Sequence, residues 1–149
     1  MSWTTAHPLT TLACTNSARV EQLFDVRVEG GVDGRFAVWQ VYVRPKDVGE
    51  IMDDRYVASF REVEPHLFQL DFVTNDLPTQ YKGYGITRAL IPAISKFYSA
   101  RVRSSKHDPS EDETQSVAAK RIWQRMVDEG IAHYDSSDDR YYYPGTDAK

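Results

Sequence analysis

Residues 67–88 read LFQLDFVTNDLPTQYKGYGITR. The stretch holds an apolar alternation, a polar connection containing a proline, and two glycines one residue apart. LFQLDFV has the two-residue period of a strand, with Phe68, Leu70 and Phe72 on one face and Leu67, Gln69, Asp71 and Val73 on the other. From Gly85 to about Tyr98 the period changes. Ile86, Leu90, Ile91, Ile94 and Phe97 follow helical spacing, and Pro92 inside the segment kinks the helix or frees a carbonyl. Strand, glycine turn, helix is an order that presents backbone N–H groups to an anion at a helix N-terminus. Glycine lets phosphate oxygens approach the backbone with no Cβ in the way. The competing reading is a plain glycine turn before a core helix.

Outward from this stretch, the chain alternates strand and turn signals. Residues 1–20 show no strong period and read as a loosely attached arm. EQLFDVRVEGGVDGRFAVWQVYVRP, residues 21–45, reads as a hairpin around GGVDG, ended by Pro45. KDVGEIMDD predicts a short helix, and YVASFREV with HLFQLDFV two strands about a Glu64-Pro65 turn. After the central helix, RVRSS predicts a short strand. PSEDETQ carries two capping boxes, Ser110 with Glu113 and Asp112 with Gln115. The helix that follows buries Ala119, Ile122, Trp123, Met126 and Val127, with Gly130 just past its end. IAHYDSSDDRYYY reads as a closing hairpin, and residues 144–149 as a frayed tail.

The 149 residues correspond to one domain, and 41% hydrophobic against 27% charged residues supports a real core. A net charge of -4 argues against a general nucleic-acid binder. One cysteine, Cys14, leaves no internal disulfide and no multi-cysteine zinc motif. His7, His66, His107 and His133 are too dispersed to suggest a metal site. No run is long and apolar enough for a membrane helix, and the N-terminus lacks the pattern of a leader, so a cytoplasmic protein is expected. From Leu77 to His107 there is no Asp or Glu, while Lys82, Arg88, Lys96, Arg101, Arg103 and Lys106 fall inside that span. A basic block around a double-glycine turn suits an anionic ligand; a solvated helix face is the blander account.

Spacing separates the phosphate-binding loops. A Walker A loop ends in Gly-Lys-Ser/Thr, which is missing here. A Rossmann fingerprint has a third glycine where this chain has Arg88, and an acidic residue about twenty positions further on. Gln80-x-x-Gly83-x-Gly85 instead resembles the Q/R-x-x-G-x-G/A signature of the GNAT superfamily of acyl-CoA-dependent N-acyltransferases, and the element order of residues 67–143 is similar to the second half of that fold. The resemblance implies a single α/β (α+β) domain over 1–149, with a mixed, mostly antiparallel central sheet flanked by helices. It implies acetyl-CoA (coenzyme A) as co-substrate, held at Gln80, Tyr81, Lys82, Gly83, Tyr84, Gly85 and Arg88, and no metal. The acyl group passes to a primary amine of an unknown acceptor, a small molecule or a protein. No nucleic-acid or membrane partner is implied, and a homodimer stays open.

That chemistry needs a base for the amine, a donor for the oxyanion and an acid for the thiolate. Asp71 is the candidate base, Tyr134 a candidate acid, and the oxyanion donor a backbone N–H near the end of FQLDFVTNDL. In the family a helix tyrosine often serves as the acid; its place falls here on Trp123 or Met126, neither a useful proton donor. The alternative is a catalytically silent module that binds coenzyme A or a protein partner.

Overall fold

A computed structural model describes residues 6–33, 36–46, 56–73, 84–105 and 117–144. Five strands come first: β1 (His7–Thr15), β2 (Glu21–Asp33), β3 (Phe36–Pro45), β4 (Tyr56–Glu64) and β5 (Leu67–Val73). Helix α1 (Ile86–Tyr98), strand β6 (Arg101–Ser104), helix α2 (Val117–Asp128) and the hairpin β7 (His133–Asp135) and β8 (Arg140–Tyr143) follow. The strands form one sheet in the order β1-β2-β3-β4-β5-β6-β8-β7. β5 and β6 run parallel, joined over α1, and the other neighbours are antiparallel.

The fold differs from the helix-flanked domain that the resemblance implied. Strands take up 55% of the described residues and helices 23%, and there are two helices among them. Both lie on the same face of the sheet: Tyr98 of α1 tilts against Phe68, and Trp123 of α2 stacks on Tyr141. The physical reason lies in the N-terminal half. Residues 7–45 hold three segments rich in β-branched and aromatic residues, each able to pair with the one before through a turn, so the sheet grows with no intervening helix. His7–Thr15, read above as an arm, is a full strand, with Leu12 and Cys14 inward and Thr11, Ala13 and Thr15 exposed. The stretch KDVGEIMDD lies outside the described residues apart from Lys46, and the capping boxes of PSEDETQ lie wholly outside them.

The hairpin β2–β3 and the strands β4 and β5 stand where the alternation puts them, but Gly30–Asp33, read as turn, belong to β2 and pair with Trp39–Phe36. A second detail departs. Phe60 pairs with Leu70 but Ser59 pairs with Phe72, so Asp71 is an extra residue, a β-bulge. Because side chains alternate with period two, one extra residue exchanges the faces beyond it. Val73 therefore packs on the core cluster, while Phe72 is 55% exposed on the opposite face. Helix α1 buries Ile86, Leu90, Ile91 and Ile94 as its spacing predicts, and leaves Phe97 exposed.

Candidate functional site

The start of α1 lies at the end of the sheet where β1, β3 and β5 stop and β2 and β4 begin. Two contacts fix it there. The Tyr56 hydroxyl on β4 and the Thr87 hydroxyl in the first helical turn are 2.7 Å apart. Tyr56 is buried, and burial pushes its phenol well above the usual range, so it stays protonated and able to donate. The Tyr84 ring meets Phe24 of β2 edge-on, with centroids 5.4 Å apart.

Gly85 is the N-cap of α1, with φ 67° and ψ 41°, a left-handed conformation that L side chains adopt at a cost. It supplies no side-chain cap, and the first turn carries no acidic residue. The first N–H groups of a helix have no partner within it, and their partial charge favours an anion. Among the described residues a Cβ on Gly85 meets nothing within 4 Å. The glycine is thus required by backbone conformation, and the described residues leave space beside it.

That space is a cavity of about 360 Å³ lined by Ala13, Cys14 and Thr15 of β1, Tyr84, Gly85, Arg88 and Ala89 around the start of α1, and Arg125 of α2. Cys14 is buried in the core, and burial pushes its thiol up, away from the thiolate form. The Arg88 Nε donates to Glu129 Oε1 at 2.7 Å, both side chains about half exposed. Arg88 therefore lines the cavity with its charge partly answered. Arg125, which the sequence offers only as one more helix cation, enters the lining because α2 packs beside α1. Of the motif residues, Tyr84, Gly85 and Arg88 come together here; Gln80, Tyr81, Lys82 and Gly83 lie outside the described residues, as does His107.

The second feature is where β5 parts from β6. Their ladder runs from Leu67 opposite Arg101 to Leu70 opposite Ser104, and β5 continues three residues further. Beyond Leu70 the β6-facing edge of β5 has no ladder among the described residues, at the point where the Asp71 bulge re-aims the chain. Asp71 itself is held. Gln69 Nε2 donates to Asp71 Oδ1 at 2.7 Å, and Arg61 Nη2 to the same oxygen at 3.5 Å. Arg61 Nε lies 3.2 Å from Oδ2 as an ion pair, but its N–H is not aligned as a hydrogen bond. Arg61 is thus the cation that answers Asp71.

Asp71 belongs to a polar row on the face away from the helices. Gln69, fully buried, accepts from Arg103 Nε at 2.8 Å. Arg103 also hydrogen-bonds Tyr142, whose hydroxyl donates to Asp138 Oδ2 at 2.5 Å. Burial and Asp138 raise the Tyr142 phenol, and Arg103 opposes them. His133 stacks on the Tyr142 ring, with centroids 5.6 Å apart. The sequence signal for this row was Gln69 itself, an amide in the middle of an apolar strand, whose burial requires hydrogen bonds.

Tyr134 stands apart from Asp71. It lies on β7, separated from β5 by β6 and β8, or about 14 Å at the usual strand spacing. It faces the helix side with Tyr141, whereas Asp71 is on Gln69's side. The Tyr134 hydroxyl donates to Asp139 Oδ1 at 2.6 Å, and that carboxylate pushes the phenol up to about 12. Trp123 and Met126 are fully buried core residues. Among the described residues no three His, Cys, Asp or Glu side chains gather as metal ligands, and no helix is long and apolar enough to cross a membrane.

Compared with protein-family models, with curated proteins and with solved structures, the chain matches none.

Proposed function

We propose that the protein binds coenzyme A at the start of α1 and transfers an acyl group, acetyl in the first instance, from it to a primary amine in the cytoplasm. The observation that carries this reading is the first turn of α1, which has no side-chain cap among the described residues. Its left-handed glycine opens onto a cavity that two arginines line, with no carboxylate in the turn. This is the chemistry a pyrophosphate needs: free N–H donors, a helix N-terminus and guanidinium charge. The motif Gln80-x-x-Gly83-x-Gly85 supplies the choice of coenzyme A among phosphate-bearing ligands. The acyl carbonyl would take its oxyanion donor from the β5 edge at the Asp71 bulge, where the β6 ladder has ended.

One set of observations favours the silent alternative, a module that binds coenzyme A without turning it over. The candidate base is occupied by Arg61 and Gln69, and the candidate acid donates its hydrogen bond to Asp139, which makes it a weaker acid. Two measurements separate the readings. Calorimetric titration of coenzyme A tests binding. Thiol release from acetyl-CoA with a panel of amines tests turnover. Binding with turnover supports the enzyme, binding alone supports the module, and a protein that does not bind coenzyme A refutes both.

A further inference from the structure

We propose that the outer edge of β1 is the interface of a homodimer, in which β1 pairs antiparallel with β1 of a second copy. The two edges of the sheet are built differently. At one, β7 is three residues long and carries the Asp135 carboxylate, which blunts further pairing. At the other, β1 has nine residues, HPLTTLACT, with no Lys, Arg, Asp or Glu. β1 ends the strand order, and among the described residues its one ladder is with β2, so its other edge carries no strand there; Thr10, Thr11, Ala13 and Thr15 are exposed.

The pairing stretch is limited at one end. Pro8 has no N–H, and the register with β2 shifts between Pro8 and Thr10, bending the strand. Thr10–Thr15 remains as a regular run opposite Val26–Glu21. Six residues span about 20 Å, an ordinary strand length, so a partner strand finds a full ladder of N–H and C=O groups there.

The chemistry of the edge selects the occupant. A charged partner strand meets no counter-charge on this neutral run, whereas a second copy brings the same neutral run, and a two-fold axis makes the contact closed and self-complementary. Opposed residues in an antiparallel pair share a face, so the axis passes through a residue, Leu12 or Ala13. Through Leu12, the leucine meets its own copy and Thr11 meets Ala13. Through Ala13, Leu12 meets Cys14 and Thr11 meets Thr15. In neither register does a charge meet a charge. Ala13, Cys14 and Thr15 also line the cavity at α1, so the second strand stands beside it. Two strands of this length bury less than the roughly 1,000 Å² of a permanent interface, so the dimer dissociates on dilution.

Sedimentation of the full chain across a concentration series, from low micromolar to near-millimolar, tests the proposal. The expected result is a monomer–dimer equilibrium. In the double variant Thr11→Lys, Ala13→Lys, whose side chains both lie on the open face, its dissociation constant rises at least about tenfold, because like charges then face each other across the axis. Amide hydrogen exchange on the wild type gives a second readout that needs no variant. Protection of Thr10–Thr15 should increase with concentration, with that of β7 unchanged. A wild type that stays monomeric, a folded double variant that dimerises as tightly, or concentration-dependent protection elsewhere in place of β1 overturns the proposal.

Discussion

Replacing Gly85 by aspartate and, in parallel, by asparagine separates charge from shape at the start of α1. The two side chains are nearly isosteric, and a Cβ there meets none of the described residues within 4 Å. Both residues tolerate the left-handed region better than others, whose usual cost is about 1–2 kcal/mol. Both also cap helices well, which returns about 1 kcal/mol. Each variant should therefore melt within a few degrees of the wild type. Their coenzyme binding should diverge. A carboxylate about 5 Å from a phosphate charge, at an effective dielectric near 20, is repelled by about 3 kcal/mol. That corresponds to about a hundredfold weaker binding than the asparagine variant shows. Titration calorimetry at low salt, beside thermal unfolding of both variants, reads the difference, and added salt should narrow it. Equal affinities in two folded variants would refute a phosphate at this turn. Loss of the fold in both would show instead that Gly85 serves backbone geometry alone.

Asp71→Asn removes the charge that answers Arg61 on a partly exposed strand; we expect a stability loss of about 1 kcal/mol by urea unfolding. If Asp71 is the base, turnover falls about a hundredfold with coenzyme affinity unchanged, and equal turnover excludes it. The Tyr134 phenol titrates above its ordinary value of 10.0, at about 12, so its contribution to stability is present below about pH 10 and is lost as pH rises through about 12. In an ultraviolet titration, Tyr134→Phe should remove one late-ionising tyrosine, and an unchanged late phase would show that the Asp139 bond does not form in solution. Trp123→Ala empties a fully buried site stacked on Tyr141 and should cost about 3–5 kcal/mol; a loss below about 1 kcal/mol would mean that α2 does not pack on the sheet as described.

The sequence by itself determined the elements whose signals are local. The hairpin of residues 21–45 was legible from its alternation, though Gly30–Asp33, read as its turn, extend β2. Helix α1 was legible from Ile86, Leu90, Ile91 and Ile94, and α2 from Ile122, Trp123 and Met126. A glycine at position 85 was legible as a special backbone position, because glycine alone takes φ near 67° without cost. The resemblance implied a sheet flanked by helices, whereas the described residues build one eight-stranded sheet with two helices on one face. Threonine-rich His7–Thr15 carries only two buried side chains, too few to announce a period, and its strand state comes from pairing with β2. The tertiary structure alone decided the rest. The Asp71 bulge depends on β4, since a register shift is a property of two strands, and it alone turned Phe72 outward. Arg125 joins Arg88 at one cavity, and Asp71 meets Arg61 while Tyr134 meets Asp139. Such pairings across strands and helices are set by how side chains fill shared space, and no periodicity within one segment encodes them.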